Sequence, residues 1–208
     1  ILLGTGLLWF GWFGFNGGSQ LAVRGAELPF TTTHISAAAG LITWGFIEYI
    51  NEGKSTSVGM ATGAVSGLVG VTPAAGFVNP ASGMIIGLIT SILCYYSIKL
   101  KNKLQFDDSL DTFAVHGVGG TAGAILTGIF ARYELISAHP AGQVLLEKGR
   151  IGLVLGQFQA IIIAYGISAL GTLLIALFLK KTGIQFRVTE AEEDKGLDLA
   201  EHGEKSYI

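Results

Sequence analysis

Charge is scarce in this sequence. Asp, Glu, Lys and Arg make up 13% of its 208 residues, against about a quarter in an ordinary soluble domain. Too few polar groups exist to clothe a water-facing surface, which excludes that class. Cysteine occurs once, at Cys94, so neither a disulfide framework nor a thiolate metal cluster is available. The residue reads as a small apolar side chain inside a helix. No basic excess exists either: the formal net charge is −2, and no nucleic-acid partner, cofactor or metal is expected. The first residues, from Ile1, lack the basic stretch and cleavage site of a targeting peptide. They read as the middle of an apolar helix, with further sequence expected upstream.

What is present is apolar and rich in glycine. Half of the residues are hydrophobic, 31 are glycine, and the mean hydropathy is +0.56. Within a bilayer, glycine lets helices approach closely where packing rather than water exclusion drives association. The charges that do occur are unevenly placed. Residues 186–208 carry Arg187, Lys195 and Lys205 against seven carboxylates, whereas residues 1–185 carry ten basic and eight acidic residues. The expected organisation is a transmembrane helical body over 1–181 and a polar tail over 182–208.

A spanning helix needs about 20 mostly apolar residues. Six candidates occur, at about 1–19, 30–50, 56–72, 81–99, 109–131 and 151–181. This predicts an all-α, polytopic membrane protein. Turn chemistry separates the spans at Asn16-Gly17-Gly18, Asn51-Glu52-Gly53, Pro73 through Pro80 and Lys101-Asn102-Lys103. The sixth span would reach about 46 Å, longer than the ~30 Å hydrocarbon core, so it must tilt or project into water. Lys54, Lys99, Lys101, Lys103, Lys180 and Lys181 fall on one side, and Arg24, Arg132, Lys148 and Arg150 on the other. The first set hugs helix ends in short loops, which places that side and the tail in the cytoplasm.

An ionisable group inside a span is by default a functional hypothesis. With a helix starting near Asp108, His116 lies about 12 Å along the axis, near the midplane. It is set in Val115-His116-Gly117-Val118-Gly119-Gly120, which points it into a bundle or pore. Asp108 reads either as the N-cap of this helix or as a fixed negative charge for a cation. Trp12, Phe15 and Ser19 recur at i, i+3 and i+7 on one face. They read as a cation-binding aromatic face or as an interfacial aromatic belt. His34 at an outer helix start and His139 before Pro140 read as solvent or interface residues. Thr72-Pro73 ends the third span, where a helix break frees backbone to line a cavity or merely closes the helix. Asn79-Pro80-Ala81 is similar to a motif of water and glycerol channels. Those channels use it twice, and it occurs once here.

Taken together, these segments resemble the ammonium transporter, methylammonium permease and Rhesus protein family, in its bacterial ammonium transporter branch. Gly11 through Ser19 is similar to the family's sixth span, Gly67 through Ala74 to the end of its eighth, and Asp107-Asp108 through Gly120 with Thr127 through Ala131 to its tenth. Lys195 through Asp198, His202-Gly203-Glu204 and Tyr207 resemble its C-terminal regulatory segment. The resemblance implies the sixth to eleventh spans of an eleven-helix inverted-repeat transporter, in a homotrimer with one pore per subunit. It implies Phe15 at the outer gate, Ser19 in an outer ammonium site, Trp12 and Thr72 on the pore wall and His116 as one of two facing pore histidines. Asp108 would be the symmetry partner of an acidic residue elsewhere. Gly196, Leu197, Asp198, His202, Gly203 and Glu204 would order the tail on the cytoplasmic face of a multi-pass inner-membrane protein, for a PII-type signal protein. The implied activity is passage of ammonium or ammonia, with methylammonium as an analogue and no enzymatic reaction. A membrane sensor of ammonium and a water or glycerol channel are the competing readings.

Overall fold

A computed structural model describes residues 1–136, 147–183 and 186–205. Among these no strand occurs, and the chain is all-α. It forms two compact units, Ile1–Ile161 and Ile162–Ile208. The first contains α1 (Leu2–Gly18), α2 (Glu27–Glu52), α3 (Ser57–Val71), α4 (Pro80–Lys103), a π-helical segment (Phe113–Val118) that runs into α5 (Gly119–Phe130), the short α6 (Tyr133–Ile136), and the start of α7 (Gly149–Lys181). These six long segments follow the six expected spans in order. Three of them, α4, the Phe113–Phe130 unit and α7, are long and apolar enough to cross a membrane, and α3 is a shorter apolar helix.

Local chemistry sets the ends. Thr56 and Asn79 cap α3 and α4, their side chains accepting from the N–H groups of Gly59 and Ser82. Pro80 follows Asn79 at the first helical position, where a missing N–H costs nothing. The Asn-Pro-Ala sequence is thus a helix start. Gly53 closes α2 in the left-handed region, at φ 74°. Two expected breaks lie elsewhere. Helix α1 continues through Asn16 to Gly18, because Asn16 is buried and its amide donates to Thr33 Oγ1 at 2.9 Å. Helix α4 runs through Lys103, and the chain breaks instead over residues 104–111.

The centre of the first unit is α2 packed on α3 and α4. Helix α2 buries Pro29, Thr33, Ala37, Gly40, Trp44 and Glu48, an i, i+3/i+4 stripe. Contact there is backbone on backbone. A methyl group added at Gly67 would collide with the Ser36 carbonyl oxygen, and one at Gly123 with that of Gly70. Hydroxyl groups bridge the same helices: Ser36 Oγ donates to Gly67 O and Ser91 Oγ to Gly40 O, and Thr32 Oγ1 donates to Ala75 O in the α3–α4 connection, each at 2.8 Å. Buried Glu48 accepts from the N–H and hydroxyl of Thr56 at 2.6 and 3.0 Å, so its carboxylate is satisfied.

The second unit holds the rest of α7, then α8 (Glu190–Lys195) and a π turn over Asp198–His202. Only Leu153 is buried along α7, and its apolar side chains face outward on every side, as in a helix that meets lipid or further protein.

Candidate functional site

The geometry around His116 begins at Pro73. Proline has no N–H, so α3 cannot continue its ladder, and Thr72 N–H turns back to Val69 O at 3.2 Å. That leaves the Leu68 carbonyl for the Thr72 hydroxyl, which donates to it at 2.7 Å. The Thr72 oxygen in turn accepts the indole N–H of Trp12 at 2.8 Å. Helices α1 and α3 are joined at this point by a side-chain bond spanning 60 positions of sequence.

Trp12 and Thr72 share a groove of about 340 Å³ with Val69, Pro73, His116, Gly120 and Ala124. Three of the expected pore residues, Trp12, Thr72 and His116, are therefore brought together. Gly120 and Ala124 were not among the expected residues, although their i+4 and i+8 spacing from His116 was the available signal. His116 lies in the π-helical segment, a widened turn frequent at functional sites. It sits on the fourth residue of that segment. The helix starts at Phe113 rather than near Asp108, so His116 is about one turn from its start, not eight residues in.

Asp108 explains the shift. Its two carboxylate oxygens accept the N–H groups of Thr112 and Phe113 at 2.9 and 2.8 Å, and Lys101 Nζ donates to its carbonyl. Asp108 thus acts as a cap at the helix start and does not line the groove. Lys101 also pairs with Asp111 at 2.7 Å, and Asp111 adopts φ 55°, a conformation that Asp tolerates better than most residues.

Phe15 stands 6.1 Å from Trp12 in an edge-to-face arrangement and lines a second apolar groove of about 460 Å³ with Leu7, Leu8, Gly11 and Trp12. Ser19 does not line it. Its hydroxyl donates to the Phe15 carbonyl at 2.8 Å, within its own helix. His34 is exposed, as expected of a solvent or interface residue, but it lies about 10 Å along α2, which starts at Glu27. Its ring lies 5.4 Å from Trp9 and 5.9 Å from Phe13, on a face of α1 different from that of Trp12. His139 lies outside the described residues.

The tail residues form local structure within the second unit. Thr189 and Glu192 make a reciprocal capping box at the start of α8. The Thr189 hydroxyl and N–H hold the Glu192 carboxyl below its usual range. Gly196 ends α8 at φ 89°, a conformation suited to glycine. Leu197 precedes the π turn, Asp198 Oδ1 accepts the Leu199 N–H at 2.9 Å, and Gly203 closes the turn at φ 70° with its N–H on the Asp198 carbonyl. His202 lies in that turn, and Glu204 N–H also reaches Asp198 O at 3.1 Å. Tyr207 lies outside the described residues.

Known proteins share the sequence and the fold. The sequence profile of the Ammonium Transporter Family matches residues 1–207. The ammonium transporter of Bacillus subtilis (strain 168) is 44% identical over 207 residues, which is 99% of this chain and 50% of that protein. Among solved structures, Saccharomyces cerevisiae Mep2 is similar with a TM-score of 0.76 and 36% identity, over 92% of this chain and 44% of that one. A structure described as a sensor Amt protein is similar with a TM-score of 0.82 and 35% identity, over 96% of this chain and 48% of that one. The chain spans about half the length of the relatives it matches.

Proposed function

Because the chain belongs to the ammonium transporter family, we propose that it forms part of an ammonium transporter in which ammonium loses a proton at an outer aromatic site and ammonia passes His116. The observation that carries this reading is the single groove lined by Trp12, Thr72 and His116. Taking a bare ammonium ion into a medium of low dielectric costs tens of kcal/mol, about as for any small ion. Cation–π contact returns about 2 kcal/mol or somewhat more. An aromatic residue such as Phe15, with Ser19, therefore suits recruitment and deprotonation at the mouth better than ion passage. Beyond them a neutral solute meets apolar walls and one imidazole, whose two ring nitrogens let it donate at one and accept at the other. Residues 1–181 serve as the membrane body, in a homotrimer, and residues 182–208 as a cytoplasmic tail that couples to a PII-type signal protein.

The test uses the complete protein in proteoliposomes. His116→Ala is expected to change methylammonium uptake about tenfold, the scale of one lost hydrogen bond in a dry site, while assembly persists. Wild-type uptake and selectivity over potassium in that variant would overturn the reading. Likeness to the sensor Amt protein favours a second reading, an ammonium receptor that signals through its tail. Purified wild-type protein that binds ammonium but carries none across the bilayer would select it.

A further inference from the structure

We propose that Thr72 is a positioning residue whose hydroxyl pins the Trp12 indole so that its N–H does not serve the groove, leaving His116 as the groove's hydrogen-bonding ring. The inference rests on the functional reading above, and one of its tests is independent of transport.

The direction of each bond is fixed by chemistry. Indole nitrogen only donates, so Thr72 Oγ1 must be the acceptor at 2.8 Å. The threonine proton then has to go elsewhere, and it goes to Leu68 O at 2.7 Å. Pro73 offers no N–H to Val69 O, the Thr72 N–H takes that carbonyl instead, and Leu68 O is left to the hydroxyl. The relay runs from the indole through the hydroxyl to the end of α3, and it uses up both side-chain donors. Of the polar side chains lining the groove, Trp12, Thr72 and His116, only the imidazole has no hydrogen bond among the described residues. A small solute in the groove therefore meets one ring that can exchange hydrogen bonds and a tryptophan that presents carbon. The same relay sets the orientation of Trp12 toward Phe15, 6.1 Å away and edge to face.

Removing the hydroxyl should release the indole. In Thr72→Val the N–H loses its acceptor in a part-buried setting, and an unmatched donor there seeks water or solute. The expected result in the complete protein is a maximal methylammonium uptake about tenfold lower, with the half-saturation concentration little changed, because recruitment lies at the outer mouth. Thr72→Ser, which keeps the hydroxyl, should recover most of the loss. In a Trp12→Phe background no N–H remains to be held, so adding Thr72→Val should have no further effect. Equal losses from Thr72→Val in the two backgrounds, or misassembly in both, would overturn the proposal, since either outcome makes Thr72 an independent structural residue. Full uptake in Thr72→Val alone would also overturn it. Hydrogen exchange of the Trp12 indole, read by nitrogen-15 NMR and assigned with Trp12→Phe, needs no transport. Slow exchange in the wild type and fast exchange in Thr72→Val are expected, and equal rates would sink the positioning role. Absent uptake by the wild type, with the exchange difference intact, would instead count against the functional reading alone.

Discussion

At the scale of single residues, the site is built from side chains that finish the ends of helices. Asp108 shows this most simply. Its carboxylate holds two N–H groups at the start of the segment that carries His116, so its removal should be felt as a lost cap. Asp108→Ala is expected to lower the stability of the complete protein by about 1 kcal/mol, and Asp108→Asn by less, since the amide oxygen keeps one of the two acceptors. Thermal unfolding in detergent measures both, and equal losses would contradict the cap. The place of His116 in a groove was legible, because an imidazole among glycines in an apolar run is costly to hold in a membrane unless it faces other protein or a cavity. Its distance from the helix start was not. The left-handed conformation of Asp111 and the Lys101 contacts hold residues 104–111 out of the helix. Nothing in hydropathy reports such a brace. The Trp12–Thr72 bond was illegible for a related reason: sequence spacing orders residues on one helix and is silent about a partner 60 positions away.

At the scale of elements, the helices were legible because apolar runs and caps agree about where each begins and ends. The exceptions, Asn16 and Lys101-Asn102-Lys103, are places where tertiary bonding overrode turn propensity. Asn16 is a good turn residue in isolation, but bonded to Thr33 it belongs to the helix. Contact between elements depends on the absence of side chains. Gly123 of α5 lies against the Gly70 backbone of α3, and no rotamer change in a neighbour can make room for a methyl group there. Gly123→Ala should therefore cost about 1–3 kcal/mol, the range of overpacked cores, and should separate the π-helical segment from the Trp12 groove. The predicted readout is a lower unfolding temperature in detergent together with reduced methylammonium uptake. A variant with wild-type unfolding would show that the helices can move apart freely.

At the scale of the whole molecule, the tail reading makes a prediction of its own. A charge excess of seven carboxylates over three basic residues suggests a solvated polymer, yet residues 189–204 are tied by a capping box and by two glycines at positive φ. Gly196→Asp would force a side chain into φ 89° and against the Asp198 carboxylate. It is expected to lower uptake by the complete protein, as deletion of residues 186–208 would, while membrane assembly persists. Full uptake and unchanged PII-type protein binding in either variant would remove the tail from the mechanism. The packing of α2, α3 and α4 has a further consequence. Helices slide past one another along a layer of interdigitated side chains that can change rotamer, and where carbonyl meets glycine that layer is missing. Shear between these three helices is denied by their own backbones. Of the Trp12–His116 groove only the α3 wall belongs to that locked layer, so any opening there falls to α1, which carries Trp12, and to the π-helical segment, which carries His116.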